Sequence, residues 1–298
     1  MPQSEGSYGQ DMVVSSMTEH EILPSSKRSL RMMKPISEPA PEDISGAQNA
    51  TVSQFSGGEW LKMPTLVPEE LPLTIAVNGE EFVTILCTPL KLNCLVIGFL
   101  YSEGIITSIG DVASMRVCED ESLADVRLSK AKPPLPPRRT ITSGCSGGVS
   151  FQAKGQRVDS DLRVTPAEIL SLMKQLQQQA QLWRTCGGVH TSALADTRKL
   201  LVIAEDIARH NTLDKIQGEY LLRRLSIKDK LLLTTGRLSS EMVLKAARMQ
   251  TPIVVSRSSP TERAIKLASD LGITLVGYAR GSRLSVYSGE ERVLVAGS

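Results

Sequence analysis

The stretch Leu231-Leu-Leu-Thr-Thr-Gly-Arg-Leu-Ser239 decides the fold class, and Ile253-Val-Val-Ser-Arg-Ser-Ser-Pro-Thr-Glu262 repeats its plan further along the chain. Each stretch begins with a short aliphatic run, which is typical of a buried strand, and continues into serine and threonine, which cap helices. Repeated strand–helix units of this kind predict an α/β protein with a largely parallel sheet covered by helices. Ligands of such sheets bind at the carboxyl ends of the strands, so a site is expected in the loops that follow them.

The alternation of strands and helices continues on both sides of these stretches. Further strands are predicted at 200–204 and 273–276, and a helix at 211–224. Earlier in the chain, Asn78-Gly79 between two strand-like runs predicts a β-hairpin, because this dipeptide favours the tight turn between antiparallel strands. Thr88-Pro89 then predicts the start of a helix, with the threonine as its cap.

Composition divides the chain of 298 residues into two parts. Residues 1–67 are rich in Ser, Glu, Pro and Gln and show no sustained periodicity, which predicts a disordered tail. Residues 68–298 carry the strand and helix patterns and are predicted to form one domain. Residues 130–139, which include Pro133-Pro134-Leu135-Pro136-Pro137, are interpreted as a surface loop within it.

Charge and hydropathy disfavour two classes of partner. A net charge of +2 and an aromatic content of 4% do not indicate a nucleic-acid-binding protein. The most apolar stretch, Leu90–Tyr101, is too short to span a bilayer, so no membrane partner is predicted. The five cysteines lack paired spacing, which favours reduced thiols and a cytoplasmic protein.

Four loops that follow predicted strands each contain at least one arginine. These arginines are Arg209, Arg237, Arg257, Arg280 and Arg283. A guanidinium donates two parallel hydrogen bonds to phosphate oxygens, and a helix N-terminus offers free backbone N–H groups to the same anion. Taken singly, each arginine is better interpreted as a surface cation, and a serine such as Ser258 as part of a helix cap. Together the four loops predict an anion pocket of the size that a nucleotide diphosphate needs.

A cysteine in the turn Thr142-Ser-Gly-Cys-Ser-Gly-Gly148 is the candidate nucleophile. Glycines give the loop freedom, and backbone N–H donors stabilise a thiolate, so Cys145 suits nucleophilic chemistry. The alternative interpretation is a small residue in a tight turn.

The segment Cys186-Gly-Gly-Val-His190 supplies a further histidine and thiol. His190 either orients a phosphate or tunes a thiol, or it is a core histidine whose hydrogen bonds are satisfied. Cys186 is a second, weaker thiol candidate. The sequence has no phosphate-loop motif, no dinucleotide fingerprint and no Cys-x-x-Cys pair, so no resident metal, and in particular no zinc, is predicted.

Eight segments, in order between about Pro72 and Ser288, resemble the FdhD/NarQ family of formate dehydrogenase accessory sulfurtransferases. They are Leu73-Thr-Ile-Ala-Val-Asn-Gly79, Ile97-Gly-Phe-Leu-Tyr-Ser-Glu-Gly-Ile-Ile106, Thr142-Ser-Gly-Cys145, Gly187-Gly-Val-His190, Glu205-Asp-Ile-Ala-Arg-His-Asn-Thr-Leu-Asp-Lys215, Thr235-Gly-Arg-Leu-Ser-Ser-Glu-Met-Val243, Ser258-Ser-Pro-Thr261 and Leu275-Val-Gly-Tyr-Ala-Arg280. Any one segment is weak support, whereas eight in register are specific.

The resemblance implies a fold, an activity and a set of partners. The fold would be a cytidine-deaminase-like α/β/α sandwich without the zinc site, and the protein would be a cytoplasmic homodimer. As a sulfurtransferase it would take persulfide sulfur from a cysteine desulfurase onto Cys145. It would transfer that sulfur to the molybdenum bis(molybdopterin guanine dinucleotide) cofactor before the cofactor enters the formate dehydrogenase apoprotein.

The resemblance also places the cofactor-binding residues. The family's cofactor-binding stretch near its C-terminus falls on Tyr278, Ala279, Arg280, Gly281, Ser282 and Arg283. The loop pattern had already marked His190, Arg237 and Ser258 as candidates for contact with an anion, here the guanine-nucleotide end of the cofactor.

One departure from the family pattern leaves a second function open. Many members have Cys-x-x-Cys in the loop where this chain has Cys145 and Gly148, so a relay between two cysteines cannot operate here. The alternative function is a chaperone that binds the finished cofactor without sulfur chemistry. A zinc hydrolase built on the deaminase fold is a third hypothesis, which the missing ligand pattern disfavours.

Overall fold

The computed structural model describes residues 44–130, 139–141 and 156–294, the middle range by its backbone. Within these ranges the strands are β1 (Ala47–Ser56), β2 (Glu59–Pro68), β3 (Leu71–Val77), β4 (Glu80–Cys87), β5 (Val112–Cys118), β6 (Leu123–Leu128), β7 (Arg139–Ile141), β8 (His190–Ala195), β9 (Leu200–Asp206), β10 (Leu231–Thr234), β11 (Ile253–Ser256), β12 (Thr274–Arg280) and β13 (Arg283–Ser288). The α-helices there are α1 (Leu92–Ser102), α2 (Pro166–Gln179), α3 (Gln181–Cys186), α4 (Arg209–Leu222), α5 (Ser240–Arg248) and α6 (Glu262–Asp270). Cys145 and most of the proline-rich loop lie outside the described residues.

Strands β1 and β2 form an antiparallel hairpin within the segment that composition assigned to a disordered tail. Gly57 and Gly58 adopt φ values of 61° and 85°, as the two-residue turn of a hairpin requires. Phe55 and Trp60 pack across this turn with ring centroids 5.3 Å apart. The prediction of disorder is therefore wrong for residues 47–67, because backbone pairing and the aromatic pair order a segment that is otherwise polar.

The five-stranded sheet has the order β5-β6-β3-β4-β7 and packs against α1. Asn78 and Gly79 both have positive φ, 55° and 91°, and the predicted hairpin between β3 and β4 is confirmed. The predicted start of α1 is wrong, since the helix begins at Leu92 after Lys91, which adopts a left-handed conformation. Thr88 does not cap the helix, because its backbone groups bind Asp206 and Lys215 in the interior.

The six-stranded sheet has the order β13-β12-β11-β10-β8-β9 and is mixed. Among the described strands, β10–β11 and β11–β12 pair in parallel, whereas β8–β9, β8–β10 and β12–β13 pair antiparallel. The prediction of a largely parallel sheet is not confirmed. The short connections at 196–199 and 281–282 join β8 to β9 and β12 to β13 as hairpins. Because β8 also runs antiparallel to β10, the parallel strands β10–β12 have antiparallel neighbours on both sides.

Helices cover both faces of the six-stranded sheet. On one face α4, α5 and α6 bury residues such as Leu213 and Met242 against Leu232 and Val254. On the other face α2 buries its stripe, which includes Ile169, against the alternate residues of the same strands. The layers are thus helix, sheet and helix, while the likeness to cytidine deaminases stays a prediction. In the part of the chain that the structure describes, no helix is long and apolar enough to cross a membrane.

Candidate functional site

The loops after β10 and β11 are tied together at one edge of the six-stranded sheet. Ser256 Oγ donates to Gly236 O at 2.6 Å, and Arg257 N donates to Thr234 O at 3.2 Å. Two adjacent strand ends are therefore held in fixed register. This edge is the carboxyl end of the parallel strands, where a ligand site is expected.

The side chains of His190 and Arg209 both lie close to Gly236. His190, Arg209 and Arg237 are together called the basic pocket. A Cβ atom at Gly236 would lie 2.9 Å from Arg209 Cβ and 3.4 Å from His190 Nδ1. A larger residue would push the two side chains apart, so glycine permits the close approach of three elements. His190 is the first residue of β8, Arg209 is the first residue of α4, and Gly236 follows β10.

Arg209 carries a buried donor that nothing within the described residues uses. Its Nε is inaccessible to solvent and has no hydrogen-bond partner there. A buried N–H left in this way costs about 1–3 kcal/mol, so a ligand that accepts it is favoured. Arg209 is also the first residue of the 14-residue helix α4, whose N-terminus attracts anions. Burial, and then the charge of Arg237, lower the pKa of Arg209.

The histidines at this edge are neutral at neutral pH. Burial, and then the nearby charges of Lys245 and Arg209, lower the pKa of His210 to about 3. Burial and Arg209 also lower the pKa of His190. Because His210 is neutral, the 3.3 Å approach of its Nε2 to Glu241 Oε2 is not an ion pair. Burial is the main cause of this neutrality; the nearby cations add to it, and their charge favours an anion at this edge.

A fully buried ion pair fixes the loop that leads into α4. Lys215 Nζ lies 2.6 Å from Asp206 Oδ2, and both side chains are inaccessible to solvent. Asp206 also accepts from Ala208 N at 2.9 Å and from Thr88 N at 3.1 Å. The carboxylate therefore ties residues 206–208 to the end of β4 and so sets the position of Arg209.

The predicted cofactor-binding stretch, 278–283, forms the end of β12, a two-residue turn and the first residue of β13. Tyr278 N donates to Ser258 O at 3.1 Å, which joins this hairpin to the serine loop after β11. Arg280 Cζ lies 5.6 Å from the centroid of the Tyr278 ring. The structure thus brings Ser258, Tyr278 and Arg280 together beside the loop that contacts Gly236.

Ala279 does not present its side chain to this edge. It is fully buried in the core under α2, because alternate residues of a strand face opposite sides of the sheet. Ala279 can therefore contact a cofactor at this edge only through its backbone. Gly281, Ser282 and Arg283 are exposed at the tip of the hairpin.

Cys186 is disfavoured as a second nucleophile. Its Sγ donates to Leu182 O at 3.2 Å. Burial and the neighbouring charge of Glu205 raise the pKa of its thiol, so little thiolate is present at neutral pH. Cys145, the predicted nucleophile, lies outside the described residues, and its role stays a prediction.

Two features of the site were not singled out from the sequence. Arg209 was one loop arginine among five, and nothing in the pattern marked it as the one with a buried Nε. The burial of Lys215 was also missed, because a polar run in a helix predicts exposure. Residues 211–218 are largely polar, yet all of them are buried, so this helix has no solvent-facing stripe there.

The chain is thus an α/β protein whose basic residues gather at the carboxyl ends of parallel strands, which is where such folds bind ligands. The model of the FdhD/NarQ family matches residues 68–294, and the chain belongs to this family.

Several relatives of known name cover most of the chain. Sulfur carrier protein FdhD from Bacillus subtilis (strain 168) is 40% identical over 252 residues, which are 81% of this chain and 95% of that protein. The protein of the same name from Geobacillus kaustophilus (strain HTA426) is 37% identical over 257 residues, 84% of this chain and 98% of that protein. A crystal structure from Desulfotalea psychrophila, of a protein assigned as a formate dehydrogenase accessory protein, superposes with a TM-score of 0.71. It is 29% identical in sequence and covers 84% of this chain and 100% of that one.

Proposed function

We propose that the protein is a sulfur carrier that binds the guanine-nucleotide end of the molybdenum bis(molybdopterin guanine dinucleotide) cofactor at the basic pocket and delivers sulfur to it from Cys145. Membership in the FdhD/NarQ family and relatives named sulfur carrier protein FdhD support the sulfur-carrier role. The observation that carries the binding role is the buried Arg209 Nε, which has no acceptor within the described residues.

The basic pocket suits a diphosphate for three reasons. The Arg209 guanidinium forms charge-assisted bonds with phosphate oxygens, and the N-terminus of α4 adds backbone donors. Arg237 and Arg257 bring further positive charge from the next two loops. His190, being neutral, offers one N–H without adding a charge that the pocket would have to accommodate.

The sulfur step is a thiol–persulfide exchange. The Cys145 thiolate attacks the terminal sulfur of a cysteine desulfurase persulfide, the donor S–S bond breaks, and the donor cysteine leaves as a thiolate. Cys145 then holds the persulfide, and no net oxidation has occurred. When the terminal sulfur passes to the cofactor, which is the substrate, Cys145 returns to a thiolate. The two electrons that convert sulfane sulfur into a sulfido ligand come from the molybdenum.

The partners follow from this chemistry and from the family. We assign a cysteine desulfurase as the sulfur donor and the formate dehydrogenase apoprotein as the recipient of the finished cofactor. A cytoplasmic location suits a reduced Cys145, since thiols persist there. A homodimer is the assembly that the family resemblance implies.

Arg209→Met tests the binding role. We expect the affinity for GDP to fall about 10- to 100-fold, since a hydrogen bond to a charged group contributes about 1.5–3 kcal/mol. The melting temperature should hold or rise, because the substitution removes a buried donor that lacks a partner. Isothermal titration calorimetry with GDP and a thermal melt measure the two effects.

Arg223→Met is the matched control for this variant. Arg223 directly follows α4, is about half exposed and pairs with Glu219 at 2.9 Å, away from the basic pocket. GDP binding by Arg223→Met should equal that of the wild type. Equal GDP affinity for Arg209→Met and Arg223→Met would remove the basic pocket from the proposed function.

The chaperone function remains the second candidate because of Gly148. With one cysteine in the loop segment 142–148, sulfur cannot pass between two thiols of the same loop. A chaperone would bind GDP as proposed here but would carry no sulfur on Cys145.

A further inference from the structure

Trp183 is an exposed aromatic residue beside the basic pocket. It lies on the short helix α3, and 38% of its surface is exposed. The exposed part of the indole offers a planar apolar face that a planar partner can cover.

The main chain at Trp183 is fixed to the same frame as the pocket. The carboxylate of Glu205 accepts from Leu182 N and from Trp183 N, each at 2.9 Å. Thr191 Oγ1 donates to the same carboxylate at 3.2 Å. Thr191 follows His190 in β8, so one carboxylate on β9 links the helix that carries the indole to the strand that opens at the pocket.

Arg257 contacts the indole ring itself. Its Cζ lies 5.9 Å from the ring centroid, within the range of a cation–π contact. Arg257 N is bonded to Thr234 O, next to the loop that contains Gly236. Arg257 follows β11 and Gly236 follows the neighbouring strand β10, so the indole and the basic pocket belong to the same edge of the sheet.

We propose that Trp183, steadied by Arg257, is the stacking platform for the guanine base of the bound nucleotide. The proposal rests on the proposed function, because it needs the phosphates to occupy the basic pocket. A planar π-face beside a cationic phosphate site is the pairing of groups that recognises a nucleotide. Stacking does not distinguish purines, so Trp183 contributes affinity for ADP as well as for GDP.

The test compares GDP with inorganic pyrophosphate on the full chain. For Trp183→Ala we expect the GDP affinity to fall about tenfold, within the range of base–aromatic stacking, while the pyrophosphate affinity stays unchanged. Trp183→Phe should retain most of the GDP affinity. Trp60→Phe, at the exposed tip of the β1–β2 hairpin, should bind GDP like the wild type.

Fluorescence gives a second readout, because the chain has two tryptophans. In the Trp60→Phe background the remaining emission comes from Trp183, and GDP should quench it whereas pyrophosphate should not.

Three outcomes would overturn the platform. Unchanged GDP affinity of Trp183→Ala would show that the base does not stack on Trp183, and the basic pocket would remain the proposed phosphate site. Equal losses for GDP and pyrophosphate mean that the indole only supports the fold of the pocket. If wild-type protein binds neither GDP nor pyrophosphate, the proposed binding function fails, and the platform fails with it.

Discussion

Replacing Lys215 with methionine is expected to destabilise the protein by about 3–5 kcal/mol, because Asp206 is left as a buried charge without a counter-ion. Lys215 Nζ donates to Asp206 Oδ2 at 2.6 Å, to Thr88 O at 3.0 Å and to Glu205 O at 3.1 Å. An ammonium has three N–H donors, and all of them are used. Methionine fills a similar volume but donates nothing, so three acceptors lose their partner together.

Urea denaturation measures this loss, and two further variants define its cause. Lys91→Met makes the same substitution at a pair with Glu219 in which the lysine is 40% exposed, so its cost should stay below about 1 kcal/mol. Asp206→Asn added to Lys215→Met should recover part of the stability, since it removes the unpaired charge. Similar losses for Lys215→Met and Lys91→Met would show that burial does not decide the strength of this pair.

Gly98→Ala is expected to have the second large effect, a loss of at least about 2 kcal/mol from the free energy of unfolding. A Cβ at Gly98 would lie 1.8 Å from Asp214 O, and a Cβ at Gly218 would lie 1.8 Å from Cys94 O. Helices α1 and α4 therefore touch backbone to backbone, and no side chain can move aside to make room. Alanine gains about 1 kcal/mol in helix propensity, but the separation of the helices outweighs that gain.

Gly110→Ala serves as the control for this prediction. A Cβ at Gly110 meets Ser108 Oγ at 3.5 Å, an ordinary contact. The urea midpoint of unfolding of Gly110→Ala should stay near that of the wild type, whereas the midpoint of Gly98→Ala should fall clearly. If Gly98→Ala were as stable as the wild type, the close crossing of α1 and α4 would not exist in solution.

Features set by short-range chemistry were predictable from the sequence. The Asn78-Gly79 turn requires positive φ at both residues, and this dipeptide supplies it. Thr165 and Glu168 satisfy each other's backbone N–H groups as a capping box, and Ser239 caps α5 by accepting from Met242 N. These contacts lie within three residues, so the local sequence contains both partners.

Features that depend on distant partners were not predictable in the same way. The antiparallel neighbours of β10–β12 result from which strands meet across the sheet, and strand periodicity does not encode this. The β1–β2 hairpin was obscured by polar composition, although Gly57-Gly58 was a usable turn signal. The ion pair of Asp206 with Lys215 depends on Thr88, more than a hundred residues earlier in the chain.

The candidate site shows the same division. Arginines after the strands were visible in the sequence, and parallel strand ends placed several of them at one edge. The sequence did not reveal that Arg209 alone among them keeps a buried Nε without a partner in the described residues, because that depends on packing near Gly236 and His190. One sequence also does not show which residues bind the phosphates and which bind the base. The variants at Arg209 and Trp183 distinguish these two roles.

Intact-protein mass spectrometry of the full chain, after incubation with a cysteine desulfurase and cysteine, tests the sulfur-carrier function most directly. We expect wild-type protein to gain one sulfur atom that a reductant removes, Cys186→Ala to gain it equally, and Cys145→Ala to gain none. Absence of any gain on the wild type, with the desulfurase shown to load another acceptor, would contradict sulfur transfer and leave the cofactor chaperone as the function of this protein.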